Sequence, residues 1–191
     1  MKTVSIEEAI SSLISGGVGV LPADTVYGVM ASAANPLAVK RLYALKKRDH
    51  KPGTVVAASI EQLVQLGVPE APLRRVEGWW PGSLSVEVML GTDLGYLHQE
   101  TGRQAFRVVA DERLRNVLEK TGPLVTSSAN HPGKPGSVNV AEAYDYFGEL
   151  VDFYIDGGDM SDRAPSTIIR FDGTGQIEVI RQGAVNIREL L

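Results

Sequence analysis

A few cations and a set of hydroxyls, spread over loops and strand ends, are the residues of this chain whose types could do chemistry. Lys46 and Arg48 offer fixed positive charge at the end of a helix, and Arg107 and Arg181 sit on or at the ends of strands. Ser127, Ser128 and Asn130 follow a strand and offer hydroxyls, an amide and a bend of backbone N–H groups, while Ser166 and Thr167 follow another loop. Together they suit an anion such as a polyphosphate, since arginine grips phosphate or carboxylate through two parallel hydrogen bonds and bent backbone cradles negative charge. Singly, each has a plainer reading. Lys46, Lys47 and Arg48 fit a solvated helix end at the negative pole of its macrodipole. Ser127 and Ser128 fit turn formers, Arg107 a carboxylate's partner, and Ser166-Thr167 ordinary edge-strand residues.

Other chemistries find no support. Gly133-Lys134 is followed by Pro135, so no phosphate-binding G-x-x-x-x-G-K-[ST] loop is present, and Gly17 and Gly19 begin no G-x-G-x-x-G. His50, His98 and His131 are far apart and read as surface or loop residues, and no nucleophile elbow occurs. The absence of cysteine excludes disulfides, a thiol nucleophile and a cysteine zinc site. A net charge of −4 argues against broad basic patches, though not against a local one. The start MKTVSIEEAI is too acidic for a signal peptide, and no run approaches the roughly 20 apolar residues of a membrane span. A soluble, cytoplasmic chain is expected. At 191 residues with no repeat or long linker, it reads as a single domain over 1–191.

The elements that must position these residues alternate between strands and helices. Ser5 and Glu8 form a capping box for a helix to about Ser15, closed by Gly16-Gly17. Val18 to Leu21 reads as a buried strand, followed by a Pro-broken loop, a small turn at Tyr27-Gly28, and a helix capped by Asn35 with Pro36 at its first position. Further strands are expected at Thr54 to Ala58, Leu84 to Leu90, Phe106 to Val109, Leu124 to Thr126 and Phe153 to Asp156. Helices are expected after Ser59, over Pro69 to Gly78, around Leu114 to Leu118 and after Asn139, with a last one after Asn186. Gly91 to Gln104 reads as a loop or lid, and Ser166 to Phe171 with Gln176 to Arg181 as a hairpin about Asp172-Gly173. This α/β (α+β type) pattern predicts a mixed sheet with helices packed on it.

Across nearly the whole chain, from about Val4 to Gly183, a series of blocks resembles a known family. Pro22-Ala23-Asp24-Thr25-Val26-Tyr27-Gly28, Lys46-Lys47-Arg48, Trp80-Pro81-Gly82, Phe106-Arg107-Val108, Ser128-Ala129-Asn130, Asp156-Gly157-Gly158, Ser166-Thr167-Ile168 and Arg181-Gln182-Gly183 stand in this order. They are similar to the P-T-[DE]-T-V-Y-G, K-x-R, W-P-G, V-R, S-A-N, D-G-G, S-T-I and R-x-G blocks of the YrdC/TsaC-like threonylcarbamoyl-AMP synthases, in their single-domain form. The resemblance implies a mixed, twisted open sheet flanked by helices, with a concave cleft. It implies synthesis of threonylcarbamoyl-adenylate and pyrophosphate from L-threonine, bicarbonate or CO2, and ATP, with Mg²⁺ arriving on the ATP rather than on a metal site of the protein. A downstream threonylcarbamoyl transferase complex would use the product on tRNA, and contact with RNA is part of the same expectation.

By this resemblance Lys46 and Arg48 would be catalytic and hold the nucleotide phosphates, with Ser128, Asn130, Ser137 and Arg181 completing the ATP site. Thr25, Arg107, Thr126 and Ser166 would take threonine, Arg107 clamping its carboxylate. The chain departs from the pattern at Ala23, Ala57, Asp49 and Pro165, where the family has threonine, often histidine, proline and an acidic residue. These changes thin the amino-acid subsite more than the nucleotide blocks. Two rivals therefore stand beside the synthase: a non-enzymatic RNA- or ribosome-binding module, and a paralogue acting on another acyl or carbamoyl substrate.

Overall fold

The computed structural model describes residues 3–47 and 50–187. Its strands are β1 (Val18–Leu21), β2 (Gly28–Ser32), β3 (Thr54–Ala57), β4 (Leu84–Met89), β5 (Arg103–Val108), β6 (Leu124–Ser128), β7 (Phe153–Tyr154), β8 (Thr167–Phe171) and β9 (Ile177–Arg181). Its helices are α1 (Ile6–Ile14), α2 (Pro36–Leu45), α3 (Ile60–Gln65), α4 (Glu70–Arg74), α5 (Gly95–His98), α6 (Glu112–Thr121) and α7 (Val140–Phe147). All the strands join one mixed sheet in the order β7-β1-β2-β6-β3-β5-β4-β8-β9. Pairings β1–β7, β3–β5 and β4–β8 are parallel and the rest antiparallel, so the expected mixed, twisted sheet with helices on it is what forms.

Side chains that alternate along each strand divide the packing between two faces. On one face α2, α3, α4, α5 and α7 bury Leu42, Leu63, Leu73, Leu97 and Phe147 against Val20, Val29, Val55, Val86, Phe106 and Val125. On the other face, among the described residues, α1 and α6 pack, with Ala9, Leu13, Val117 and Leu118 against Leu21, Met30, Val56 and Leu124. Caps fix these helices where the sequence placed them. Ser5 Oγ accepts from Glu8 N while Glu8 accepts from Ser5 N, and Asn35 Oδ1 accepts from Leu37 N and Ala38 N. Asn139 Oδ1 does the same for Glu142 N at the start of α7.

Two expectations are corrected. The turn expected at Tyr27-Gly28 leads into β2, which pairs antiparallel with β1 and β6. It escaped detection because Gly, Ala, Met and Ser are weak strand formers and every residue in it is buried, so no alternation shows. The lid candidate over Gly91 to Gln104 contains a 3-10 turn and α5, with Leu97 in the core. Tyr43 Oη donates to the Leu97 carbonyl at 2.7 Å and Tyr96 Oη to the Ala33 carbonyl at 2.8 Å, which ties this segment to the well-covered face. The helix expected after Asn186 lies outside the described residues. Among the described residues no helix is long and apolar enough to cross a membrane.

Candidate active site

On the face packed by α1 and α6, these helices stop short of the far ends of the strands, leaving a cavity of about 530 Å³. Its floor is Gly28 of β2, Thr126 and Ser128 of β6, Thr54 of β3, and Ala105 and Arg107 of β5, with Glu87 of β4 at the side. The register makes this floor continuous: Thr54 pairs with both Thr126 and Ala105, and Ala105 pairs with Glu87. Small side chains keep it open. A Cβ added at Gly28 would lie 2.3 Å from Thr126 Oγ1, and one at Gly53 would lie 2.4 Å from the Thr126 carbonyl oxygen, so the glycines allow close packing beneath the threonine.

Arg107 carries the cavity's buried charge. It is 3% exposed, and its Nη2 lies 2.8 Å from Asp24 Oδ1 in the Pro22–Thr25 loop. The geometry is that of an ion pair rather than a good hydrogen bond: among the described residues Asp24 Oδ1 and Arg107 Nε find no hydrogen-bond partner. Burial pulls the guanidinium pKa down, and the Asp24 charge pushes it back up. A guanidinium stays protonated through such shifts, so the floor of the cavity keeps a fixed positive charge.

A second cation closes the opposite wall. Arg181 Nη2 donates to the Ser166 carbonyl at 2.8 Å and to Ser166 Oγ at 3.1 Å, and Ser166 Oγ lies 3.0 Å from Ser85 Oγ. A Cβ at Gly183 would lie 2.2 Å from the Pro165 carbonyl oxygen, which lets the chain after β9 pack on the Pro165-Ser166 backbone. The Pro22–Gly28 loop is fixed by Tyr27, whose buried hydroxyl accepts from Gly157 N at 2.7 Å and donates to the Gly158 carbonyl at 2.9 Å. Desolvation by burial raises its pKa, so it stays a donor.

Lys46 departs from the reading of a solvated helix end. It is 2% exposed, and its Nζ donates to the Ser128 carbonyl at 2.5 Å, to Asn130 Oδ1 at 3.0 Å and to the Asn130 carbonyl. The ammonium thus sits beneath the bend after β6 and holds its shape. Ser128 Oγ donates to Asn130 Oδ1 at 2.7 Å, and Ser137 Oγ donates to the Ala129 carbonyl, so the same bend is tied from both sides.

The Sua5/YciO/YrdC family model, described as telomere recombination, matches residues 11–183. The chain belongs to the Sua5/YciO/YrdC family. A relative in Pseudomonas aeruginosa, named threonylcarbamoyl-AMP synthase, is 34% identical over 174 residues, covering 85% of this chain and 89% of that protein. A protein of the same name in Coxiella burnetii is 33% identical over 163 residues, covering 81% and 86%. P. abyssi Sua5 complexed with L-threonine superposes with a TM-score of 0.86 at 26% identity, over 97% of this chain and 56% of that one. E. coli YciO shares the fold, with a TM-score of 0.82 at 22% identity over 97% and 92% of the two chains.

In this member of the Sua5/YciO/YrdC family, Thr25, Arg107, Thr126, Ser128, Ser166 and Arg181 line the one cavity, although they come from segments far apart in sequence. Lys46, Asn130 and Ser137 form the support of the bend rather than the cavity lining. Arg48, and Asp49 beside it, lie outside the described residues. Ala57 packs in the core of the opposite face, so that departure does not thin the cavity. Ala23 and Pro165 do line it, and the Ala23 carbonyl accepts from Arg163 Nη1 at 3.2 Å. Reading the sequence by residue type missed Asp24, Thr54, Ser85 and Glu87. For Ser85 and Glu87 the signal was present: they are the polar members of an alternating strand, and their face carries the cavity.

Proposed function

We propose that the protein is a threonylcarbamoyl-AMP synthase whose single catalytic domain spans 1–191. The observation that carries this reading is Arg107: a buried guanidinium on the floor of a cavity that Thr25, Thr126, Ser128 and Ser166 also line. That is a place for one carboxylate, and the relatives in Pseudomonas aeruginosa and Coxiella burnetii carry the matching name. Thr25, Thr126 and Ser166 surround the amino acid in this reading. Ser128 and Arg181 meet the nucleotide, while Arg48 supplies charge to the phosphates. Lys46 acts from beneath the Ser128–Asn130 bend, and Asn130 and Ser137 keep that bend in shape.

The amine of threonine first combines with bicarbonate, losing water to give a carbamate. A carbamate oxygen then forms a bond to the α-phosphorus, and the bond from that phosphorus to the bridging oxygen breaks, its electron pair leaving on pyrophosphate. No protein nucleophile is needed; positioning and neutralisation of developing charge carry the step. ATP enters with Mg²⁺ bound through its phosphate oxygens and water. The product is a reactive mixed anhydride, so the reading includes a downstream threonylcarbamoyl transferase complex acting on tRNA in the cytoplasm. With a net charge of −4, any RNA contact would be local and would weaken steeply with salt.

The test is pyrophosphate release from ATP and Mg²⁺, with threonine and bicarbonate added or omitted one at a time. Release that needs both is expected. Release with another amino acid and not with threonine would favour a diverged substrate, for which Ala23 in the cavity wall is the motivating residue. RNA binding without any release would replace the enzyme by a binding module.

A further inference from the structure

A cavity suited to anions has an acid in its wall. Glu87 is a cavity residue of β4, with its side chain 20% exposed. Its carboxylate pairs with Arg170 Nη1 at 3.7 Å. Arg170 also serves a second acid: its Nε and Nη2 donate to the two carboxylate oxygens of Glu178 at 2.6 and 2.8 Å. Glu87 thus shares its cation with Glu178, and it faces a space that must also take a triphosphate and a carboxylate. Like charge in a confined, partly desolvated site costs affinity, so a carboxylate kept there calls for a cation in the substrate.

The register says where that cation would be. Glu87 pairs directly with Ala105, and Arg107 lies two residues further along β5 on the same face. Such diagonal neighbours have backbones only about 7–8 Å apart, and the intervening Ala105 fills little of the space. A guanidinium and a carboxylate thus line the same small volume.

We propose that Glu87 receives the α-ammonium of the amino-acid substrate, so that this cavity reads a zwitterion, carboxylate at Arg107 and ammonium at Glu87. This rests on the synthase reading and adds to it a specificity residue outside the family blocks in the sequence. It also makes Glu87 the group beside the nitrogen that must lose its proton before it can be carboxylated.

The experiment compares binding of L-threonine and of 3-hydroxybutyrate, its analogue without the amine, to the intact protein and to Glu87→Gln, each with ATP and Mg²⁺ present. Calorimetry on both forms supplies the affinities, and the affinity for ATP alone is the control. Loss of a charge-assisted hydrogen bond predicts that Glu87→Gln weakens threonine about tenfold or more. It should leave ATP unchanged and bind 3-hydroxybutyrate as well as the parent protein, or better. Equal losses for threonine and the analogue would mark a merely structural role and overturn the inference, as would unchanged threonine affinity. Failure of the parent protein to bind threonine would overturn the synthase reading and the inference together, whereas normal turnover of threonine by Glu87→Gln would remove the inference alone.

Discussion

The two ends of one sheet face contrast sharply. Where α1 and α6 pack, the strands present Leu21, Met30, Val56, Leu124 and Val109. Two residues further along the same strands, the same face presents Gly28, Thr54, Thr126 and Arg107, and among the described residues no helix covers them. Strand geometry and register are shared, so the difference lies in side-chain size and polarity. Large apolar residues buy a helix, while glycine, threonine, serine and alanine leave a floor that water and ligands can reach. The boundary of the candidate site is thus written in each strand as the step from a large apolar residue to a small or polar one.

Breaking the boundary residue should have the largest effect. Arg107 stands between Ala105 of the open end and Val109 of the covered one, and its guanidinium balances the buried Asp24. Arg107→Ala should cost about 3–5 kcal/mol of stability, because it strands a buried carboxylate. Adding Asp24→Asn should recover much of that loss in urea unfolding, while pyrophosphate release stays absent. Recovery of both properties would mean that Arg107 has only a structural role.

Leu124→Ala probes the covered end alone. A Leu fully buried against α1 and α6 should cost about 2–5 kcal/mol, with pyrophosphate release per folded molecule unchanged at a temperature where the variant is native. Activity falling in proportion to stability loss under native conditions would show that the two ends are not separable.

Much of the fold was legible because it depends on local chemistry. Ser5 with Glu8, Asn35 with Pro36, and Asn139 with Glu142 start helices through contacts within a few residues. The hairpin about Asp172 is likewise local, its carboxylate accepting from Thr174 N and Gln176 N. What stayed hidden depends on partners distant in the chain. Lys46 read as a solvated helix end because the carbonyls that bury it belong to residues 128 and 130. The same holds for β2, whose strand character comes from burial on both faces rather than from its residue types. Among site residues, the blocks located Arg107, Ser128, Ser166 and Arg181, which the fold brings to one cavity. Glu87 and Thr54 lie in no block, and only the register of the sheet reveals that they share that cavity.

The smallest expected change in stability accompanies the most direct test. Thr54 lies on the open floor, between Thr126 and Ala105, in a strand that favours β-branched and aromatic residues. Thr54→Phe places a ring in the cavity without removing a contact from the core. Unfolding and pyrophosphate release would be measured on one preparation. If the open end of the face is where the reaction occurs, release should fall by at least about a hundredfold, while stability stays within about 1 kcal/mol of the parent. Full activity at unchanged stability would contradict that assignment and move the site off this floor.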